Sequence, residues 1–120
     1  MVHELKYDED NQVGILIFKY HFQFADVDPI FTELEKVLAG KPYRQVVVMM
    51  TDNYYIENRE TREATADRLS KLKVSEVAFV GGNAASRMVA RVLIKTGTIK
   101  LNGDFFKSYD EAIDWLKNKR

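Results

Sequence analysis

The sequence predicts a single α/β domain: a mostly parallel, mixed sheet of roughly four or five strands, an N-terminal antiparallel hairpin and about four helices. Three observations carry this. Two apolar runs, Val46-Val47-Val48-Met49-Met50 and Val77-Ala78-Phe79-Val80, have the composition of strands covered on both faces. Segments with apolar residues at helical spacing separate and follow them. The chain has 120 residues, enough for one domain with its own core. Residues 1–120 read as one unit, without repeats, linkers or low-complexity tracts.

The elements follow in order. Leu5-Lys6-Tyr7 predicts a short first strand and Asp8-Glu9-Asp10-Asn11 a polar turn. A second strand spans 13–20, with Val13, Ile15 and Ile17 on one face and Leu16, Phe18 and Tyr20 on the other. Asp28-Pro29 predicts the start of the first helix, Asp as cap and Pro at a position that loses no hydrogen bond. Ile30, Phe31, Leu34, Val37 and Leu38 form its apolar face, and Gly40 and Pro42 end it. After the strand over 46–50, a second helix is expected over 58–73. It is strongly polar, with a thin stripe of Thr61, Ala64 or Thr65, Leu69 and Leu72, and with Arg59 and Glu63, and Asp67 and Lys71, at i, i+4 spacing.

The strand at 77–80 leads into Gly81-Gly82-Asn83 and a third helix whose Ala85, Met88, Val89, Val92 and Leu93 have core spacing, ended by Gly97. Residues 98–101 fit a strand, Asn102-Gly103 a turn, and Phe105-Phe106 a further short strand or an extended link. Ser108 and Glu111 have capping-box spacing. They open a last helix that buries Ala112, Ile113, Trp115 and Leu116 and ends in Lys117, Lys119 and Arg120.

Composition excludes several functions. The absence of cysteine rules out disulfides, thiolate metal sites and a cysteine nucleophile. Eighteen basic and eighteen acidic residues balance, which disfavours nucleic-acid binding. No apolar run approaches the ~18 residues of a membrane span, so no stable membrane insertion is expected. The polar N-terminal residues lack the apolar core of a secretion signal, and the expected location is cytoplasmic. His3, near a terminus expected to be mobile, and His21 lie far apart, without HExxH spacing or an adjacent nucleophile, so neither a metal site nor a catalytic base is assigned. No cofactor is expected, and the chain is not expected to be an enzyme.

Candidate binding residues cluster where two central strands end. Ligands of open α/β sheets bind outside the carboxyl ends of the strands, which brings Thr51, Asp52 and Asn53 to the same rim as Gly81, Gly82 and Asn83. Free amides at the start of the third helix could cradle an anion there, with Arg87 assisting; a plain strand-to-helix turn capped by Asn83 is the competing explanation. Tyr54-Tyr55-Ile56 is either an exposed contact patch or a cover for the sheet edge. Arg87, Arg91 and Lys95 recur at i, i+4, i+8: a stripe for an acidic partner or lipid headgroups, or simply a solvated face.

The hairpin opening, the strand 46–50, the segment 77–95 and the closing Phe106-Lys107-Ser108-Tyr109-Asp110-Glu111-Ala112-Ile113-Asp114-Trp115-Leu116 together resemble the SpoIIAA-like family. That family is related in fold to STAS domains, the anti-sigma-factor antagonists, and to the CRAL-TRIO lipid-binding fold. The resemblance implies a STAS-like domain in which a phosphorylatable Ser follows an aromatic-Ile-Asp triplet at the start of the helix after the central strand. Here the matching stretch is Tyr55-Ile56-Glu57-Asn58-Arg59-Glu60, and Asn58 stands in the acceptor's place. Asn cannot take a phosphoryl group, and Glu60 and Glu63 would repel one on Thr61.

The expected function is a non-enzymatic regulatory or protein-interaction module. Its protein partner would meet the rim of Asp52, Tyr54, Tyr55 and Asn58. The alternative, implied by the CRAL-TRIO relationship, is a small apolar or lipid-like ligand lined by Phe22, Phe24, Phe105 and Phe106. A homodimer stays open, because a buried core and a buried interface give the same apolar pattern.

Overall fold

The computed structural model describes residues 3–19, 22–50, 58–82, 84–97 and 102–120. Five strands form one sheet in chain order: β1 (Glu4–Asp8), β2 (Val13–Phe18), β3 (Gln45–Met50), β4 (Glu76–Gly81) and β5 (Gly103–Phe106). β1 pairs antiparallel with β2, and every later neighbour is parallel. The helices are α1 (Phe24–Leu38), α2 (Arg59–Lys71), α3 (Ala84–Lys95) and α4 (Tyr109–Asn118). The mixed α/β class follows from the alternation of buried runs with amphipathic segments.

Strand order decides the layering. Each parallel crossover steps one strand in the same direction, so right-handed connections put α1, α2 and α3 on one face. Packing agrees. Leu16, Phe18, Val46, Val48 and Val77 form one buried cluster with Ile30, Phe31, Leu34 and Leu38 of α1 and with Leu69 and Leu72 at the end of α2. Phe79 packs on that cluster and stacks on Phe105 at 4.9 Å, and the Arg91 guanidinium of α3 lies 5.5 Å from the Phe105 ring centre. The alternate residues, Val13, Val47, Ala78 and Val80, face Ala112, Ile113 and Leu116 of α4. Period-2 alternation thus sorts the strands between two cores.

Gly14 of β2 admits α1 closely. A Cβ there would stand 3.4 Å from both Leu34 Cδ1 and Leu38 Cδ2. At the far end of α2, Arg44 Nε donates to the Leu72 carbonyl at 2.7 Å. Gln45 is buried at the start of β3. Its amide nitrogen donates to Glu76 Oε1 and to the Leu116 carbonyl, both at 2.8 Å, and its oxygen accepts from Arg120 Nε at 2.9 Å. Arg120 also lies 4.0 Å over the Tyr43 ring. Every hydrogen-bonding atom of the buried amide side chain is engaged, which offsets its desolvation.

Four expectations are corrected. The first helix starts at Phe24, not at Asp28-Pro29, because the Gln23 amide donates to Asp26 Oδ2 at 3.0 Å and opens the helix a turn earlier. Pro29 then lies inside α1, where it cannot donate to the Ala25 carbonyl, and Asp28 instead pairs with Arg68 of α2 at 2.5 Å. Met88 and Val92, expected in the core, are 69% and 54% exposed on α3. His3 is not at a loose end. It is buried, with Nε2 3.3 Å from Asp26 Oδ2 and its ring edge-on to Phe18 at 5.0 Å. Gly103 is the first residue of β5 rather than part of a turn, and the Asn102 carbonyl already accepts from the Val77 amide at 2.9 Å.

The remaining elements match expectation closely. Arg59 and Glu63, and Lys71 and Asp67, form ion pairs at 2.9 Å along exposed α2. Ser108 Oγ accepts from the Glu111 amide at 3.2 Å and caps α4. The second strand ends at Phe18, and the expected strand at 98–101 lies outside the described residues, as do Tyr20 and His21.

Candidate functional site

The carboxyl ends of β3 and β4 meet at Met50 and Gly81, which are paired in register. Their approach is very close. Gly81 has φ +85°, and a Cβ built on it would fall 2.3 Å from the Met50 carbonyl oxygen. Gly82 follows at φ +79°, buried, with a built Cβ 3.3 Å from Met50 Cε, and its amide donates to the Met50 carbonyl at 3.3 Å. The two glycines therefore serve a left-handed turn pressed against the neighbouring strand. The Gly82 amide is spent on Met50, which removes one of the donors an anion cradle would need. Arg87, half-buried in α3, points back to this turn and donates from Nη1 to the Gly81 carbonyl at 3.4 Å.

Asn58 stands at the head of α2. Its φ/ψ are extended, and its Oδ1 accepts from both the Thr61 amide and Thr61 Oγ1, each at 2.9 Å. Thr61 is itself fully buried. A kinase could reach its hydroxyl only after the cap had opened. Asn58 is thus a helix cap with an exposed surface, at the position where the resemblance puts a phospho-acceptor.

The structure brings Gly81, Gly82 and Arg87 together and fixes Asn58 at the start of the helix that follows β3. Thr51, Asp52, Asn53, Tyr54, Tyr55 and Asn83 lie outside the described residues. Among the described residues, no group of three or more His, Asp or Glu is arranged to hold a metal ion.

The four aromatic residues considered for an apolar pocket occupy separate places. Phe22 is buried in the α1 core and stacks on Phe18 at 4.7 Å. Phe105 lies on Phe79, and Phe106 tilts against Trp115 at 5.4 Å. Phe24 is 52% exposed beside a shallow groove between α1 and α2 of about 230 Å³, lined also by Val27, Ala64, Asp28, Asp67 and Arg68. Ligand pockets run from ~300 Å³ upward, so this groove fits a single side chain better than a lipid.

Sequence reasoning missed one titratable pair. The Tyr109 hydroxyl at the start of α4 donates to Asp8 Oδ2 at the end of β1, at 2.5 Å, and Asn11 Nδ2 donates to the same carboxylate at 2.7 Å. The Tyr109 bond, then those from Asn11, hold the Asp8 carboxyl below the usual range. Burial first, and Asp8 second, push the Tyr109 phenol well above its usual value. A depressed carboxylate contributes stability above its unfolded pKa and loses it as pH falls through the native one. The Asp8 midpoint, followed by NMR through its carboxyl carbon, is expected to rise in Tyr109→Phe; an unmoved midpoint would contradict the bond. The pair is 101 residues apart in the chain, and no local pattern announces it.

A family described as a domain of unknown function, DUF7793, matches residues 11–120. The chain belongs to the DUF7793 family. Among solved structures, it is similar to an uncharacterised protein of the DUF3478 family with a SpoIIAA-like fold, from Shewanella loihica PV-4. The two share 17% identity with a TM-score of 0.64, over 95% of this chain and 91% of that one. At that identity the likeness is one of fold, and it establishes a SpoIIAA-like fold for this DUF7793 chain. No curated protein matches the sequence. Among the described residues, no helix is long and apolar enough to cross a membrane.

Proposed function

We propose that this DUF7793 chain is a non-enzymatic regulatory module that binds a protein partner at the carboxyl-end rim of β3 and β4, without the phospho-switch of STAS antagonists. The observation that carries this is Asn58. It occupies the helix-capping position of the SpoIIAA-like fold with an amide, and that amide already accepts both hydrogen bonds offered by Thr61. A site without a hydroxyl cannot be charged by a kinase, so partner choice here rests on shape and fixed charge. The tight Gly81-Gly82 turn and Arg87 supply a rigid border to that surface.

The test is affinity capture of the tagged chain from its own cells, with and without phosphatase treatment. A retained protein, indifferent to phosphatase and to Asn58→Ser, supports the proposal; Ser keeps the cap. Loss of that protein in Arg87→Glu places it at the rim. Retention that depends on phosphatase, or a retained small apolar molecule with no protein, overturns the proposal. Asn58→Ala serves as the stability control and is expected to cost about 1 kcal/mol, since one cap is lost.

A further inference from the structure

The third helix combines two features on its outward side. The first is charge. From 77 to 103 the chain contains no Asp or Glu, yet it carries Arg87, Arg91, Lys95 and Lys100. A protein with equal numbers of acids and bases has placed a purely basic segment on one side. The second is exposed apolar surface. At ~100° per residue, Ala84, Met88, Arg91, Val92 and Lys95 fall within one arc of about 100°, and all five are exposed. Met88 and Val92 are the two most exposed large apolar residues among those described.

These residues are interleaved: Met88 lies between Arg91 and Val92 around the arc, and Lys95 beside it. A helix that lies in a bilayer separates an apolar face bearing Trp, Phe or Leu from a basic one. The exposed arc of α3 has no such division and no residue of those types. Mixed apolar and cationic groups on one narrow strip fit a protein segment with carboxylates spaced around an aliphatic side chain. Arg91 is held in place for this: its guanidinium rests over Phe105, 3.8 Å from Asp104 Oδ1. Methionine adapts its shape to what covers it.

We infer that the exposed arc of α3 is a docking strip for an acidic, amphipathic segment of a partner protein, with Met88 and Val92 receiving its aliphatic side chain and Arg91 and Lys95 its carboxylates. This rests on the interaction-module proposal but not on the rim, because it involves the outward face of a different helix.

The test titrates a synthetic helical peptide, with Glu and Leu at i, i+3 and i+4 spacing, into the full isotope-labelled chain. The same peptide with Lys for Glu, and phosphatidylglycerol vesicles, are run beside it. Amide shifts confined to α3, binding that falls with salt, and a loss of at least ~10-fold affinity in each of Lys95→Glu and Met88→Ala support the strip. Both positions are exposed, and an unchanged melting temperature shows that the variants are folded. Equal binding of the Lys peptide, shifts elsewhere, no binding, or vesicle binding at α3 without peptide binding overturns it. Peptide binding to the unsubstituted chain, with no protein retained from its own cells, would sink the rim alone; capture without peptide binding would sink the strip alone.

Discussion

Gly81→Ala is expected to destabilise the protein by roughly 2–5 kcal/mol. Two costs add. An L residue at φ +85° is strained wherever it occurs, and the new Cβ would lie 2.3 Å from the Met50 carbonyl oxygen, an atom of the adjoining strand. Room for the methyl comes only by parting Met50 from Gly81, the last paired residues of β3 and β4. Gly97→Ala separates the two terms: its φ is +79°, but nothing lies within 4 Å of a Cβ there. Urea unfolding should therefore give Gly97→Ala only the strain cost, ~1 kcal/mol, and Gly81→Ala distinctly more. Equal losses would mean that the strand approach is looser than described. A folded Gly81→Ala protein should also show amide shifts around Met50.

Leu116→Ala is expected to cost about 2–5 kcal/mol. The side chain is fully buried and belongs to the cluster that joins α4 to Val13, Val47 and Ala78. The effect should exceed that of Leu69→Ala, because α1 and α2 share the cover of the other face, whereas among the described residues α4 is the helix packed on this one. Leu116 also places the carbonyl that accepts from Gln45, so a shifted helix would leave a buried amide donor short of a partner. Denaturant unfolding gives the magnitude. Binding of a hydrophobic dye to the folded variant, absent from the parent, would show α4 partly lifted. A loss under 1 kcal/mol would mean that the neighbours collapse into the space.

The sheet was legible because its signal is local. Val46-Val47-Val48 and Val77-Ala78 have no polar side to expose, and period 2 divided Leu16 and Phe18 from Val13 and Ile15 correctly. The start of α1 was not, because Asp28-Pro29 is the more conspicuous sequence signal while the Gln23 and Asp26 contact that operates is a weaker one. Met88 and Val92 misled for a different reason: helical spacing groups apolar residues on arcs but does not say which arc the sheet takes. His3, Gln45 and the Asp8–Tyr109 bond depend on partners distant in the chain. At the site, the glycine turn was recognised from sequence, but its purpose, contact with Met50, needed the register of two strands. Asn58 was placed by resemblance and its double acceptance from Thr61 by structure.

Because the strands lie side by side in the order in which they are made, the sheet can grow at one edge as the chain leaves the ribosome, each crossover helix closing over the strand before it. Among the described residues, the second face gains its cover only when Tyr109–Asn118 has emerged. Until then Val13, Val47, Ala78 and Val80 form a bare apolar floor, the kind of surface that chaperones hold and that aggregates when they do not. Ribosome-arrested chains ending before Tyr109 should therefore be protease-sensitive and chaperone-bound, and those extended past Arg120 by the length of the exit tunnel should be neither. For this fold, the decisive event of synthesis comes with its last helix.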